Sequence, residues 1–304
     1  MHYGGKKMKE NKVILLKHHP MNLKYTNGWY TSQVEDDLKD YVIVDVTSRA
    51  TRDKKMMNDH PSIHKDFSPF FMGPVKTSDG LTAHIFEHFW QASKVFPCHV
   101  DDSGEVNEKY LEWRKEWFSK EKVSNKTISR RPHKLLGYED GDCLYSVLYE
   151  NGTYKHLNYV EARKKIYIKE YAKLVAKTDS FKWLKDLYNK GQKIALVDFD
   201  GYNFYSSKAE EKLYNSYLNK CKKNKIIPTH SLQEFLDIKD IKDAINCGFT
   251  PAGHSFIIKM LLEKDLEVVG DEVIDNIGVL DANKKALIKT PHLCKGESIC
   301  EINY

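Results

Sequence analysis

The sequence predicts an α+β fold, predominantly helical, in a single domain with a few short strands. Three observations predict it. Apolar residues recur at helical spacing in several long segments, short β-branched runs bounded by turn residues stand between those segments, and no clean linker divides the 304 residues. Hydrophobic residues at 41% and charged residues at 30% supply a sizeable core under a charged surface, which excludes a globally disordered chain.

The elements follow in order. Residues 1–12 are basic and Gly-containing, as a loose end would be. Runs at 13–16 and 41–46 are β-branched and read as strands, the second leaving through Thr47, Ser48 and Arg49. The segment 67–75 is broken by Pro69, Gly73 and Pro74 and reads as loop or edge strand. Over 85–96, Ile85, Phe89, Ala92 and Phe96 share one helical face, and Pro97 stops the helix. In 107–120, Tyr110, Trp113, Trp117 and Phe118 form a core stripe. A long connection over 121–157 carries a short hairpin at 145–149. The strongest amphipathic helix, 160–176, places Ala162, Ile166, Tyr167, Tyr171, Leu174 and Val175 on one face. A second helix at 181–188 ends at Gly191, and 194–197 is a buried strand that delivers Asp198 and Asp200 at its exit. Charged helices at 207–224 and 231–246 precede an apolar helix at 255–263.

Forty-eight Lys and Arg against 43 Asp and Glu give +5, an excess that favours an anionic partner but falls short of a dedicated nucleic-acid binder. No stretch reaches the roughly 18 apolar residues that span a bilayer, and the 13–16 run is too short for a signal-peptide core. The expectation is a soluble, cytoplasmic protein with no membrane partner. Six scattered cysteines without a C-x-x-C pair predict reduced thiols.

Three constellations carry chemistry. His84-Ile85-Phe86-Glu87-His88 fits H-x-x-E-H, whose histidines four apart on a helix can chelate zinc; a zinc hydrolase through His84 and His88 is one alternative. The run 194–201 ends in D-x-D-G, resembling the nucleophile loop of haloacid-dehalogenase-type phosphotransferases. The stretch 268–275 imitates their later acidic loop, so a magnesium-dependent phosphatase through Asp198 and Asp200 is another. The third is longer. Phe67-Ser68-Pro69-Phe70, then Asp79-Gly80, then Glu87-His88-Phe89-Trp90-Gln91-Ala92-Ser93-Lys94 follow the pattern F-S-x-F, D-G, E-H-x-aromatic-Q-A-x-K.

That pattern resembles the opening signature of the NADAR (YbiA-like) family, and weaker agreement in the same order continues to about residue 262. The resemblance implies a YbiA-like catalytic domain at 61–264 between extensions at 1–60 and 265–304. It implies an N-glycosidase cleaving the ribose C1–N bond of an ADP-ribosylated or phosphoribosylated base, ADP-ribosyl-guanine in DNA being one candidate. The partner is then a ribosyl-nucleotide substrate or ADP-ribosylated nucleic acid, and no metal or other cofactor is needed. Cleavage through an oxocarbenium-like state needs an anion and a positioned water or nucleophile. Glu87, Lys94 and Asp200 are the expected catalytic groups; Phe67, Trp90, Arg163, Asp198, Tyr202 and His254 are the expected substrate contacts. Glu87 sits at the positive end of its helix, and Lys94, seven residues on, is expected on the same face, within reach of an opened ribose. Trp90 between them offers a ring for a base, Arg163 a fork for phosphate, and Asp198 and Asp200 a second acidic group. His254 stands just before the apolar 255–263 helix, where capping or packing is its competing use.

Overall fold

The computed structural model describes residues 12–17, 24–26, 29–31, 40–48, 54–122, 143–198, 214–215, 218–219, 222, 240–246 and 252–281. Strands β1 (Val13–Lys17), β2 (Lys24–Thr26), β3 (Trp29–Thr31) and β4 (Tyr41–Asp45) come first, followed by α1 (Lys54–Asp59) and α2 (Ile63–Asp66). The two-residue strands β5 (Val75–Lys76) and β6 (Thr82–Ala83) lead into α3 (Phe86–Ala92), β7 (Lys94–Val95) and α4 (Glu108–Ser119). The hairpin β8 (Tyr145–Glu150) and β9 (Thr153–Leu157) precedes α5, in which α-helical turns at Tyr159–Ala162 and Lys169–Val175 flank a π-helical stretch at Arg163–Ile168. Helix α6 (Asp179–Asn189), strand β10 (Lys193–Asp198), helices α7 (Ile241–Asn246) and α8 (His254–Leu262), and the hairpin β11 (Leu266–Val269) and β12 (Glu272–Asp275) follow.

Helices and small sheets mixed along the chain make this an α+β protein. Its central sheet is parallel, in the order β1-β10-β4, with Leu15 opposite Leu196 and Val44 opposite Leu196 on the other side. Val13, Leu15, Val44, Ile194 and Leu196 enter the main core, whereas Ile14 and Ala195 point to the other face and pack with Leu16, Tyr41 and Ile43. A strand apolar on both faces is what a parallel sheet requires, which explains why these three runs read as unbroken apolar stretches. Two of the three strands come from residues before 61, so that segment and 193–198 build one sheet. Helix α8 packs over β1 and β10, and its Lys259 reaches the Val13 carbonyl at 2.7 Å.

Helix α3 is shorter than its periodicity predicts. It ends at Ala92, and Lys94 and Val95 pair with Ser146 and Tyr145 of β8. Strand pairing overrides helical spacing there: Val147 N–H donates to the Ser93 carbonyl at 2.7 Å, while the Ser93 hydroxyl and the Tyr110 hydroxyl take the Trp90 and Ala92 carbonyls, both at 2.8 Å. At its other end, Phe86 N–H donates to the Met72 carbonyl at 2.7 Å and Glu87 N–H to the Pro69 carbonyl at 3.0 Å. The F-S-P-F segment and the E-H-x-W-Q-A helix thus form one unit, the loop supplying acceptors for the helix's first donors.

Gly73 closes that loop at φ 154°, where a Cβ would stand 2.2 Å from the His84 carbonyl oxygen. Because backbone and not a flexible side chain is in the way, Gly73→Ala is expected to cost about 1–3 kcal/mol in denaturant melts, on the scale of an overpacked core position. A loss under half that size would show that the loop and His84 separate freely.

Candidate functional site

The first capping turn of α3 aims Glu87 inward. Glu87 and Gln91 lie one turn apart, only 7% and 8% exposed, and the Gln91 side-chain amide donates to Glu87 Oε1 at 2.9 Å. The Lys94 ammonium donates to Gln91 Oε1, also at 2.9 Å, and lies 5.1 Å from the Trp90 ring centroid. A carboxylate, an amide and an ammonium therefore form a directed chain beside an aromatic face. The sequence expectation of one helical face for Glu87 and Lys94 is corrected: Lys94 belongs to β7, and Gln91, the glutamine of the E-H-x-W-Q-A stretch, joins the two.

A second buried polar group occupies the carboxyl ends of the parallel strands, where ligands of α/β sheets commonly bind. Asp45 ends β4 and Asp198 ends the middle strand β10. Asp45 Oδ1 accepts from Thr47 N–H at 2.9 Å and from the Thr47 hydroxyl at 2.6 Å, while its buried Oδ2 has no hydrogen-bond partner among the described residues. Asp198 Oδ2 accepts from Ser255 N–H at 3.1 Å, in the first turn of α8, and lies 3.5 Å from His254 Nδ1. His254 Nε2 is 2.7 Å from the Val46 carbonyl, which can only accept, so that nitrogen carries the proton. The Ser255 hydroxyl is buried without a hydrogen-bond partner among the described residues.

Burial pushes the Asp45 carboxyl up to about 6; the Thr47 hydrogen bonds pull against this, the Asp198 charge adds to it and His254 opposes it. A raised folded value means that the Asp45 contribution to stability is fully present below the ordinary value of 3.8 and is lost as the pH rises through about 6. Asp45→Asn keeps the acceptor for Thr47 and removes the charge. Unfolding followed from pH 4 to 8 should show the variant gaining up to about 3 kcal/mol over wild type at pH 8 and nothing at pH 4, on the basis of roughly 1.36 kcal/mol per pKa unit. Equal offsets at both pH values would mean that Asp45 does not carry the titration.

An aromatic run joins the two groups. Trp90 meets Tyr167 at 5.1 Å between centroids, Tyr167 lies parallel to Tyr171 at 6.1 Å, and Tyr171 meets His254 at 5.7 Å. The Tyr171 hydroxyl donates to the Phe67 carbonyl at 2.7 Å; burial, and secondarily the Asp198 charge, push this phenol well above its ordinary value. Phe67, Trp90, Glu87, Lys94, Asp198 and His254 are thus connected. Phe67 is fully buried and contributes its carbonyl, its ring lying in the core.

Arg163 is elsewhere. It is 2% exposed, its Nη1 donates to the Ala244 and Ile245 carbonyls at 3.0 and 2.9 Å, and its guanidinium lies 4.6 Å from the Tyr159 ring centroid. The expected phosphate fork instead caps the end of α7, so that role is corrected. Asp200 and Tyr202 lie outside the described residues.

The spacing behind the zinc alternative is not helical. His84 lies in the bend before α3, with Ile85 as its N-cap, while His88 is buried with Nδ1 3.0 Å from the Lys120 carbonyl and edge-on to Trp117. Burial holds the His88 imidazole below its ordinary pKa, hence neutral. Among the described residues no three His, Cys, Asp or Glu side chains are grouped to hold a metal ion. Asp271, in the expected second acidic loop, is instead at the exposed tip of the β11–β12 hairpin, 3.4 Å from Lys177.

Fold and site define an α+β protein in which two of the three parallel strands end on buried carboxyl groups and a short capped helix carries a carboxylate–amide–ammonium chain. It belongs to a family of unknown function, DUF6939, whose family model matches residues 29–208. This match overturns the resemblance to the NADAR family: the shared F-S-P-F and E-H-x-W-Q-A residues are here a loop capping a helix, a local device that does not carry family membership. No curated protein and no solved structure matches the chain.

Proposed function

We propose that the chain is an N-glycoside hydrolase that cleaves the ribose C1–N bond of an ADP-ribosylated or phosphoribosylated base. The Glu87–Gln91–Lys94 chain beside Trp90 is the observation that carries this reading. A nearly buried carboxylate stabilises positive charge developing at C1 and orients a water, because a desolvated anion acts through a lower effective dielectric. The Gln91 amide holds that carboxylate in place, and the Lys94 ammonium presents a cation beside an aromatic face that suits a base. Asp198 and His254 provide a second acid–base pair along the Tyr167–Tyr171 run.

Incubating the purified chain with ADP-ribosylated DNA and with phosphoribosylamine compounds, with and without chelator, tests this. Released sugar that persists under chelation and disappears in Glu87→Gln is expected. No release from either substrate class would sink the proposal. A second reading, magnesium-dependent phosphate-ester hydrolysis, rests on the placement of Asp198 at the end of the middle parallel strand beside Asp45. Asp198 Oδ2 is already engaged by Ser255 N–H and close to His254, which favours the glycosidase. Turnover of a simple phosphomonoester with magnesium, lost in Asp198→Asn, would reverse this order.

A further inference from the structure

Helix α3 has a second face. Residues two apart on a helix differ by about 200°, so Phe89 points away from Glu87 and Gln91. On that side lies a cavity of about 400 Å³, within the roughly 300–1,000 Å³ range of small-molecule sites. Phe89 and Phe118 meet at 6.2 Å beneath it, and the half-buried Tyr149 adds a third ring to its wall.

Among the described residues the charge around this cavity is unbalanced. Arg114 is paired with Asp79, and Glu170 with Lys173 at 2.7 Å. Lys76, Lys165 and Lys169 also line the cavity and make no ion pair among the described residues, which leaves Glu150 as the single unpaired carboxylate against three ammonium groups. Lys165 and Lys169 stand four residues apart on α5, Lys165 within its π-helical stretch. Like charges at that spacing repel, and an anion seated between them removes the cost. π-Helical turns are themselves frequent at functional sites. The rim is braced, since the Ser78 hydroxyl donates across to the Tyr149 carbonyl.

We propose that this cavity binds a nucleoside diphosphate, its base against the Phe89, Phe118 and Tyr149 rings and its phosphates at Lys76, Lys165 and Lys169. An aromatic floor alone would suit any flat apolar molecule, and ammonium groups alone any anion; the two together select a ligand with a ring at one end and at least two negative charges at the other. The site is separate from the Glu87 chain and stands whether or not that chain cleaves a glycoside.

Calorimetric titration of the full chain with ADP, GDP, CDP and UDP, and separately with adenosine and inorganic pyrophosphate, tests it. At least one nucleoside diphosphate should bind, with adenosine and pyrophosphate each at least about tenfold weaker than ADP if ADP is the one bound. The double variant Lys165→Ala/Lys169→Ala, changed at residues outside the core, should keep the wild-type melting temperature and weaken nucleotide binding by at least about tenfold. Absence of binding by all four nucleotides overturns the proposal, as does an unchanged affinity in the double variant. Pyrophosphate binding as tightly as the nucleotide would remove the base from the site. None of these readouts depends on cleavage, so their failure is distinct from failure of the glycosidase proposal.

Discussion

Replacing Arg114 with Met is expected to lower stability at pH 7 by about 3–5 kcal/mol, the cost of stranding one member of a buried ion pair. The side chains of Arg114 and Asp79 are 6% and 11% exposed, and the Tyr154 hydroxyl completes the group at 3.2 Å from Asp79 Oδ2. Burial pushes the Asp79 carboxyl up, but hydrogen bonds from Arg114 and Thr77 and the Arg114 charge together outweigh it and hold the carboxyl below its ordinary value. The sign follows from that depression. In wild type the contribution of Asp79 is fully present above the unfolded pKa and is lost as the pH falls through the lower folded value. In the variant the Thr77 and Tyr154 hydroxyls still donate to Asp79 but the Arg114 charge and hydrogen bonds no longer offset burial, so Asp79 takes up a proton more readily and the deficit should shrink as the pH falls toward 4. Adding Asp79→Asn to Arg114→Met should recover most of the loss at pH 7, because the penalty belongs to the unpaired charge. Urea unfolding of wild type and the two variants at both pH values measures this. A deficit for Arg114→Met under about 1 kcal/mol, or one that does not change with pH, would mean that water reaches Asp79 and the pair is worth what a surface pair is worth.

The sheet shows what the residues declare and what they withhold. Runs at 13–16, 41–46 and 194–197 are recognisable as strands because parallel pairing buries both faces and leaves no polar alternation. Their order is not recognisable, since β10 enters between two strands far earlier in the chain and nothing local specifies that partner. The role of Asp45 is not legible in the sequence for the same reason. Alone it is a polar strand exit, and only the pairing of Val197 with Asp45 brings it beside Asp198. The phosphate role expected of Arg163 does not hold because its actual acceptors, the Ala244 and Ile245 carbonyls, come from a distant segment that local sequence does not specify. Glu87 and Lys94 were found by motif, yet the helix that was to align them stops early, since β8 takes Lys94 into a strand. Their connection survives through Gln91, a contact set by side-chain reach that helical periodicity does not encode.

Glu87→Gln should therefore reduce glycoside cleavage by at least about a hundredfold, roughly 3 kcal/mol of transition-state stabilisation at 1.36 kcal/mol per factor of ten. The replacement is nearly isosteric and retains an oxygen for the Gln91 amide at the present 2.9 Å, so the loss isolates the negative charge. Lys94→Ala should cost a comparable factor, and the double variant less than the product of the two, because groups that act on one transition state are not additive. Gln91 is a positioning residue in this scheme. Its amide donates to the ionised form of Glu87, so Gln91→Leu should move the acidic limb of the kcat/KM profile upward, as a carboxylate deprived of a donor protonates more readily. A merely structural role for Gln91 would lower activity evenly across the profile and leave that limb in place. If Lys94→Ala retains near-native cleavage while Glu87→Gln does not, attack by an amine on an opened ribose is excluded and Glu87 acts through water. If both variants cleave as wild type does, the chain from Glu87 to Lys94 is packing, and the chemistry belongs to Asp45, Asp198 and His254.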